Sequence, residues 1–322
     1  MTSPKLSVII PVHNEGANIG PLCERLFPVL DRIGLPSEVV FIDDGSRDDS
    51  FSLLREYDFG ERHVRLLQLS RNFGKEAALS AGIDAADYAD AAVLMDADLQ
   101  HPPEMISDFV RIWLTEGADS VYAYKASRRQ SEGLMKAALA RTFFWVMNRN
   151  LRYKIHQDAG DFRLINRRIM TALRSLPETD RFMKGLYAWV GFRQVALPFQ
   201  PPPRLRGTSS YNPLRLLSMT LDAITSFTTT PLRLMAMAGI AIATFSAAYG
   251  IYVVIQHFFF PTVPAGIASV LALIAFFGGI QMIFLGLLGE YVGKSVLEAK
   301  KRPIYILAED ISRGEDALED RG

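Results

Sequence analysis

Two long stretches without charge constrain this chain more than any other feature. No residue from Leu234 to Gln256 is charged, none from Phe258 to Leu288 is, and only His257 separates them. A bilayer core of about 30 Å takes about 20 helical residues. The first run therefore makes one span, and Pro264 to Leu288 makes a second. Between them, His257-Phe-Phe-Phe-Pro261-Thr-Val-Pro264 carries two helix-breaking prolines and aromatics suited to a membrane interface. The expectation is a hairpin that crosses and returns, not a buried hairpin in a soluble core.

The flanks give an orientation. Arg204, Arg206, Arg215 and Arg233 precede the hairpin, and Lys294, Lys300, Lys301 and Arg302 follow it, while the middle loop has no Lys or Arg. The positive-inside rule puts both termini in the cytoplasm of a multi-pass protein of the inner (cytoplasmic) membrane. Met1-Thr-Ser-Pro-Lys5 leads straight into a strand-like run and does not read as a signal peptide. Leu214 to Leu221 is amphipathic and is expected along the membrane surface. The expected division is a cytoplasmic domain over 1–210, a juxtamembrane helix over 211–232, two spans over 233–289 and a cytoplasmic tail over 290–322. Beyond Glu309 that tail is acidic and is expected to be mobile.

Charge and cysteine content narrow the function. Lys plus Arg number 35, as do Asp plus Glu, and 49% of residues are hydrophobic. A disordered chain would be poorer in apolar residues and carry net charge. With no overall positive field, nucleic acid is not an expected partner. The single Cys23 excludes an internal disulfide and a thiolate-rich metal site.

The first 200 residues alternate strands with helices. Strands are expected at Leu6–Ile10, Glu38–Ile42, Arg65–Leu69, Ala91–Met95 and Ser120–Tyr124. Helices are expected from an Asn18 cap toward Arg32, over Ser50–Tyr57, over Lys75–Ala86 and from Pro102. This is an α/β pattern with a mostly parallel, Rossmann-like sheet, whose ligands bind at the carboxyl ends of the strands. Polar clusters sit at those ends: Pro11-Val-His-Asn-Glu15, Asp43-Asp-Gly-Ser46, Arg71-Asn-Phe-Gly-Lys75 and Asp96-Ala-Asp-Leu-Gln-His-Pro102. Each alone is weak, but four in succession point to a nucleotide diphosphate site. Asp96 and Asp98, two apart in an extended segment, face one side and suit Mg²⁺ or Mn²⁺ shared with phosphate oxygens. Asp43 or Asp44 suits a base N–H, Lys75 a phosphate or base, and His13 a binding wall. His101 reads as a helix-start residue. The Gly-rich loops of P-loop and dinucleotide enzymes and the serine-hydrolase elbow are all missing.

With these motifs the chain resembles the inverting family 2 glycosyltransferases of GT-A fold. Further along, Asp158-Ala-Gly-Asp-Phe-Arg-Leu164, Arg181 to Leu186 with Trp189-Val-Gly-Phe192, Gly207 to Tyr211, Gly289 to Gly293 and Arg302 to Tyr305 resemble its polyprenyl-phosphate branch. That branch includes dolichyl-phosphate mannose synthases and bacterial enzymes that make undecaprenyl-phosphate sugars. The resemblance implies that Pro11, Glu15, Asp43 and Asp44 hold nucleobase and ribose. It places Asp96 near ribose and metal, Asp98 on the metal, Gln100 near sugar and phosphates, and Asp161 at the reaction centre. The Gln-x-x-Arg-Trp motif of processive members is missing, which fits a single transfer.

The implied reaction moves a sugar, UDP-glucose being the leading donor, onto undecaprenyl (polyprenyl) phosphate for cell-envelope glycan modification. UDP-N-acetylglucosamine, a UDP-aminoarabinose derivative and GDP-mannose are the alternative donors. A nucleotidyltransferase and an inactive membrane scaffold are the rival classes. A phosphate monoester is largely dianionic at neutral pH and needs no strong base, so Asp161 stays open between base, positioning group and structural turn. Two phosphoanions must be brought together, which calls for cations. Lys125 to Lys154 holds eight basic residues against Glu132 alone, for an acceptor phosphate or lipid headgroups. Arg128 is the first choice for the acceptor, with Arg129, Arg163, Arg204 and Arg206 behind it. Small residues along the spans (Gly239, Gly278, Gly279, Gly286) are compatible with a homo-oligomer.

Overall fold

The computed structural model describes residues 3–125, 159–179, 181–199, 230–259 and 266–314. The chain divides into two units, one of residues 1–210 with 302–322 and one of 211–301.

The first unit is built on one sheet. Its strands are β1 (Leu6–Val12), β2 (Ser37–Asp43), β3 (His63–Leu69), β4 (Ala91–Leu94), β5 (Ser120–Lys125), β6 (Ala159–Asn166), β7 (Gln194–Phe199) and β8 (Leu307–Arg313), in the order β7-β5-β6-β4-β1-β2-β3-β8. The central strands β3-β2-β1-β4 run parallel. Their near-continuous burial is what a sheet covered on both faces demands. On β1, Leu6, Val8, Ile10 and Val12 share one face and pack with α1 (Gly16–Ile33) and α4 (Ile106–Glu116). On the other face α3 (Lys75–Ala85) lies so close that a Cβ on Gly82 would sit 2.3 Å from Ile9. Among the described residues this unit also holds the α-helices α2 (Ser50–Glu56), α5 (Arg167–Ser175) and α6 (Met183–Trp189).

The expected mostly parallel α/β sheet is present, with three departures. Helix α1 starts at Gly16, so Glu15 and not Asn18 holds the cap position; the Asn18 side chain instead donates to the Glu15 carboxylate. β6 inserts antiparallel between β4 and β5. The first residues of the stretch expected to be mobile beyond Glu309 belong to β8, antiparallel to β3, while 315–322 lie outside the described residues. Arg65 of β3 grips Asp310 of β8 through two hydrogen bonds, 2.8 and 2.7 Å long. β8 covers an edge that would otherwise present unpaired backbone groups.

The second unit holds α7 (Thr230–Phe259) and α8 (Ile267–Ala299). Leu234–Tyr252 and Phe276–Ala299 are long and apolar enough to cross a membrane, and neither is buried within the protein. A helix apolar on all sides and exposed needs lipid around it. α8 continues well past Leu288, where the sequence reading ended the second span. α7 likewise runs two residues past His257. The rest of the connection and the expected surface helix over 211–229 lie outside the described residues.

The β3–β8 clamp can be tested locally. Asp310→Ala should cost about 1 kcal/mol of local stability, a roughly five-fold rise in hydrogen-exchange rate of the 307–313 amides, with β1 unaffected. Unchanged exchange there would mean the pair does not hold the strand.

Candidate functional site

The loops after β1, β2 and β3 are stitched into one wall. The Asn14 N–H donates to Ser46 Oγ (3.0 Å), the Arg47 N–H to Asn14 Oδ1 (2.8 Å) and the Glu15 N–H to Ser50 Oγ (2.9 Å). The Asp44 carboxylate accepts the N–H groups of Phe73 (2.7 Å) and Gly74 (2.9 Å). Burial raises its pKa above the ordinary value against the pull of those amides. Asp43 is fully buried and accepts from the Ser46 amide and Gln68 Nε2. Gly45 is obligatory between these loops: its φ is +61°, and a Cβ would meet the Arg71–Asn72 backbone at 2.5 Å.

This wall bounds a cleft of about 310 Å³ lined by Pro11, Val12, His13, Glu15, Asp44, Asn72, Gly74, Lys75, Asp96, Ala97 and Asp98. Seven sequence-predicted residues therefore meet: Pro11, His13, Glu15, Asp44, Lys75, Asp96 and Asp98. His13 Nδ1 lies 2.9 Å from the Asp44 carbonyl oxygen, and Asn72 reaches the other ring nitrogen at 3.1 Å. Burial raises the Glu15 pKa, and Asp98 and Asp96 add to it while the Asn18 bond opposes it. Asp43 and Gln100 stand outside the lining. The Gln100 N–H closes a turn onto Asp98 Oδ1 at 3.1 Å.

The far wall comes from sheet register. β6 pairs with β4 so that Arg163 faces Leu94. The ladder ends at that pair, and Asp96 and Asp161 lie just beyond it on the two segments. Lys75, at the start of α3, joins them: its Nζ lies 2.6 Å from Asp96 Oδ1 and 2.9 Å from Asp161 Oδ2. Burial works against the lysine's charge, but the carboxylates of Asp96 and Asp161 outweigh it and hold the ammonium above its usual range. Burial likewise works to raise Asp161, but Lys184, Lys75 and Arg163 outweigh it and hold this carboxyl at about 2. Asp161 Oδ1 is buried and takes no hydrogen bond among the described residues.

Arg163, expected among the acceptor-phosphate residues, is 1% exposed. Its guanidinium stacks 3.8 Å from the Tyr187 ring centre and donates to the Gly160 carbonyl. That placement backs Asp161 and turns the charge away from solvent. His101 is also structural: its Nδ1 accepts the Asp96 N–H (2.9 Å) and its ring stacks on Phe162. Burial lowers its pKa, which suits a neutral ring. Arg128, Arg129, Arg204 and Arg206 lie outside the described residues.

Sequence reasoning missed Glu76, Lys184 and Tyr187. Glu76 accepts the Met183 N–H at 3.3 Å, and burial, with Asp161 nearby, raises its pKa to about 7. A glutamate in a first helical turn is commonplace, so nothing marked it. Lys184 and Tyr187 fall in the Arg181–Phe192 region, whose motif does not say which side chains point inward.

No group of three or more His, Cys, Asp or Glu able to hold a metal occurs among the described residues. Two carboxylates on the cleft are nevertheless the donor set of a hard divalent ion that takes its remaining ligands from phosphate and water. The residues fit Mg²⁺ or Mn²⁺ arriving with a nucleotide, not an ion caged by protein alone.

Sequence similarity to known proteins runs over nearly the whole chain. Residues 7–174 match glycosyl transferase family 2, and residues 230–295 match the GtrB C-terminal hairpin. An uncharacterised glycosyltransferase of Synechocystis is 41% identical over 95% of both chains. A prophage bactoprenol glucosyl transferase homolog of Escherichia coli is 37% identical over 94% of this chain and 98% of its own. The bactoprenol glucosyl transferase of Shigella phage SfV shows the same identity and coverage. Glucosyl-3-phosphoglycerate synthase of Mycobacterium tuberculosis, crystallised with Mn²⁺, UDP and glucosyl-3-phosphoglycerate, aligns over 69% of this chain and 78% of its own at 22% identity and a TM-score of 0.44. With its parallel sheet, its cleft at the strand ends and its two apolar helices, this chain belongs to glycosyl transferase family 2 and is a glycosyltransferase carrying a GtrB-type hairpin.

Proposed function

We propose that the protein transfers glucose from UDP-glucose to undecaprenyl phosphate in one inverting step on the cytoplasmic side of the membrane. The observation that carries this reading is the near-full-length similarity to bactoprenol glucosyl transferases, hairpin included. The cleft and its charges support it.

The acceptor phosphate, mostly dianionic above pH 6, attacks the anomeric carbon opposite the leaving diphosphate, so an α-linked donor gives a β-linked product. A carboxyl held at about 2 is a poor base, and this acceptor needs none. Asp161 acts as a fixed anion that orders Lys75 and Lys184 at the reaction centre. Pro11, His13, Glu15, Asp43 and Asp44 form or support the nucleoside wall, and Gln100 stands near the sugar. Asp98 and Asp96 would hold Mg²⁺ or Mn²⁺, which when bound supplies positive charge to the leaving diphosphate. Arg128, with Arg129, Arg204 and Arg206, serves the acceptor phosphate.

Topology supports the orientation. β8 follows the hairpin yet completes the sheet that precedes it. The chain thus leaves one folded unit and returns to it, which requires an even number of crossings. The basic flanks favour the cytoplasm for that side. In the proposed division the catalytic domain is 1–210 completed by β8, with the surface helix over 211–232 and the spans over 233–289.

Protein in vesicles with undecaprenyl phosphate should label the lipid from radiolabelled UDP-glucose in preference to UDP-N-acetylglucosamine, UDP-aminoarabinose derivatives or GDP-mannose. A chelator should abolish labelling, and Asp98→Asn should slow it by about 10²–10³-fold. Equal rates for Asp98→Asn and wild type would remove the metal role, and preference for another donor would replace glucose.

The rate should fall as pH drops through about 6, because the acceptor monoester gains a proton. Asp161 stays ionised well below that range, so Asp161→Asn should lower the rate at every pH and leave the limb in place. A limb that moves or disappears in Asp161→Asn would return Asp161 to proton transfer.

A further inference from the structure

Lys75 occupies an unusual position for a substrate-binding lysine. Its ammonium spans the carboxylates of Asp96 and Asp161, at 2.6 and 2.9 Å. One of these, Asp96, is also a proposed metal carboxylate. A divalent ion and an ammonium cannot share one carboxylate at contact distance without strong mutual repulsion. The lysine also borders the cleft, with its side chain 39% exposed, and has a flexible four-carbon stem. It can therefore turn from Asp96 to an incoming phosphate.

We propose that Lys75 is the site's resident counter-ion, which competes with the divalent metal for Asp96 so that metal binds well only together with a nucleotide diphosphate. This rests on the metal–nucleotide reading above. Before the nucleotide arrives, Lys75 balances Asp96 and Asp161. The diphosphate then brings negative charge that Lys75 can face, releasing Asp96 to the metal beside Asp98. The consequence is ordered loading, in which free cytoplasmic metal does not occupy the site ahead of the donor.

Binding separates this role from a structural one by its sign. Mn²⁺ affinity is measured by electron paramagnetic resonance on the full-length protein in nanodiscs, with and without UDP and with no acceptor. Wild type should bind Mn²⁺ weakly alone and much more tightly with UDP. Lys75→Met should bind Mn²⁺ alone about ten-fold more tightly than wild type and gain less from UDP. Lys75→Arg, which keeps the cation, should follow wild type. A lysine that merely supports the site would leave Lys75→Met with equal or weaker Mn²⁺ binding, and that result overturns the proposal. If Lys75→Met loses native amide protection, Lys75→Gln is judged by the same criterion. Failure of every form to bind Mn²⁺ even with UDP would remove the metal from the proposed function, and the competition with it. Normal wild-type binding without a gain in the variants would overturn the role of Lys75 alone.

Discussion

Two carboxylates close enough to share one ammonium would repel without it, and the organisation of this site follows from how that repulsion is relieved. Asp96, just past β4, and Asp161, on β6, both lie within contact distance of the Lys75 ammonium. Lys75 contacts both, and the charges of Lys184 and Arg163 also act on Asp161. The resulting arrangement is nearly balanced in charge, rigid on the sheet side and open on the cleft side. Preorganised charge of this kind needs no rearrangement when a reaction develops charge nearby.

The opposite wall depends on short polar bonds between loops that are distant in sequence. Asp44 and Gly45 fold the 71–75 loop against the end of β2, while Asn14, Ser46 and Ser50 tie β1 to the start of α2. The conspicuous carboxylates after β2 thus spend their hydrogen bonds on the loop framework, and the cleft is lined mainly by their neighbours. The sheet places both walls, because parallel strands deliver their following loops to the same end.

Much of this was legible in the sequence. The buried central strands are continuous apolar runs, and the polar clusters stand directly after them. The hairpin is unmistakable because uncharged runs of that length have few other uses. What escaped has physical reasons. β8 is an exposed edge strand of Leu-Ala-Glu-Asp-Ile-Ser-Arg, without an apolar pattern, and its partner Arg65 is 245 residues away. Arg163 was read among the acceptor-phosphate residues, since arginine is rarely buried; the two tyrosines around it, Tyr122 and Tyr187, come from separate elements. Asp161 was singled out by its motif, but its ionisation depends on three cations that only the fold assembles.

The central claim is that the acceptor is itself a phosphoanion, brought to a phosphoanion donor by fixed positive charge. Matched vesicles carrying undecaprenyl phosphate or the alcohol undecaprenol, assayed for transfer from the same nucleotide sugar, test it most directly. The account predicts a glycosylated product from the phosphate alone, because Asp161 is too weak a base to activate a hydroxyl. Comparable transfer to the alcohol would contradict it.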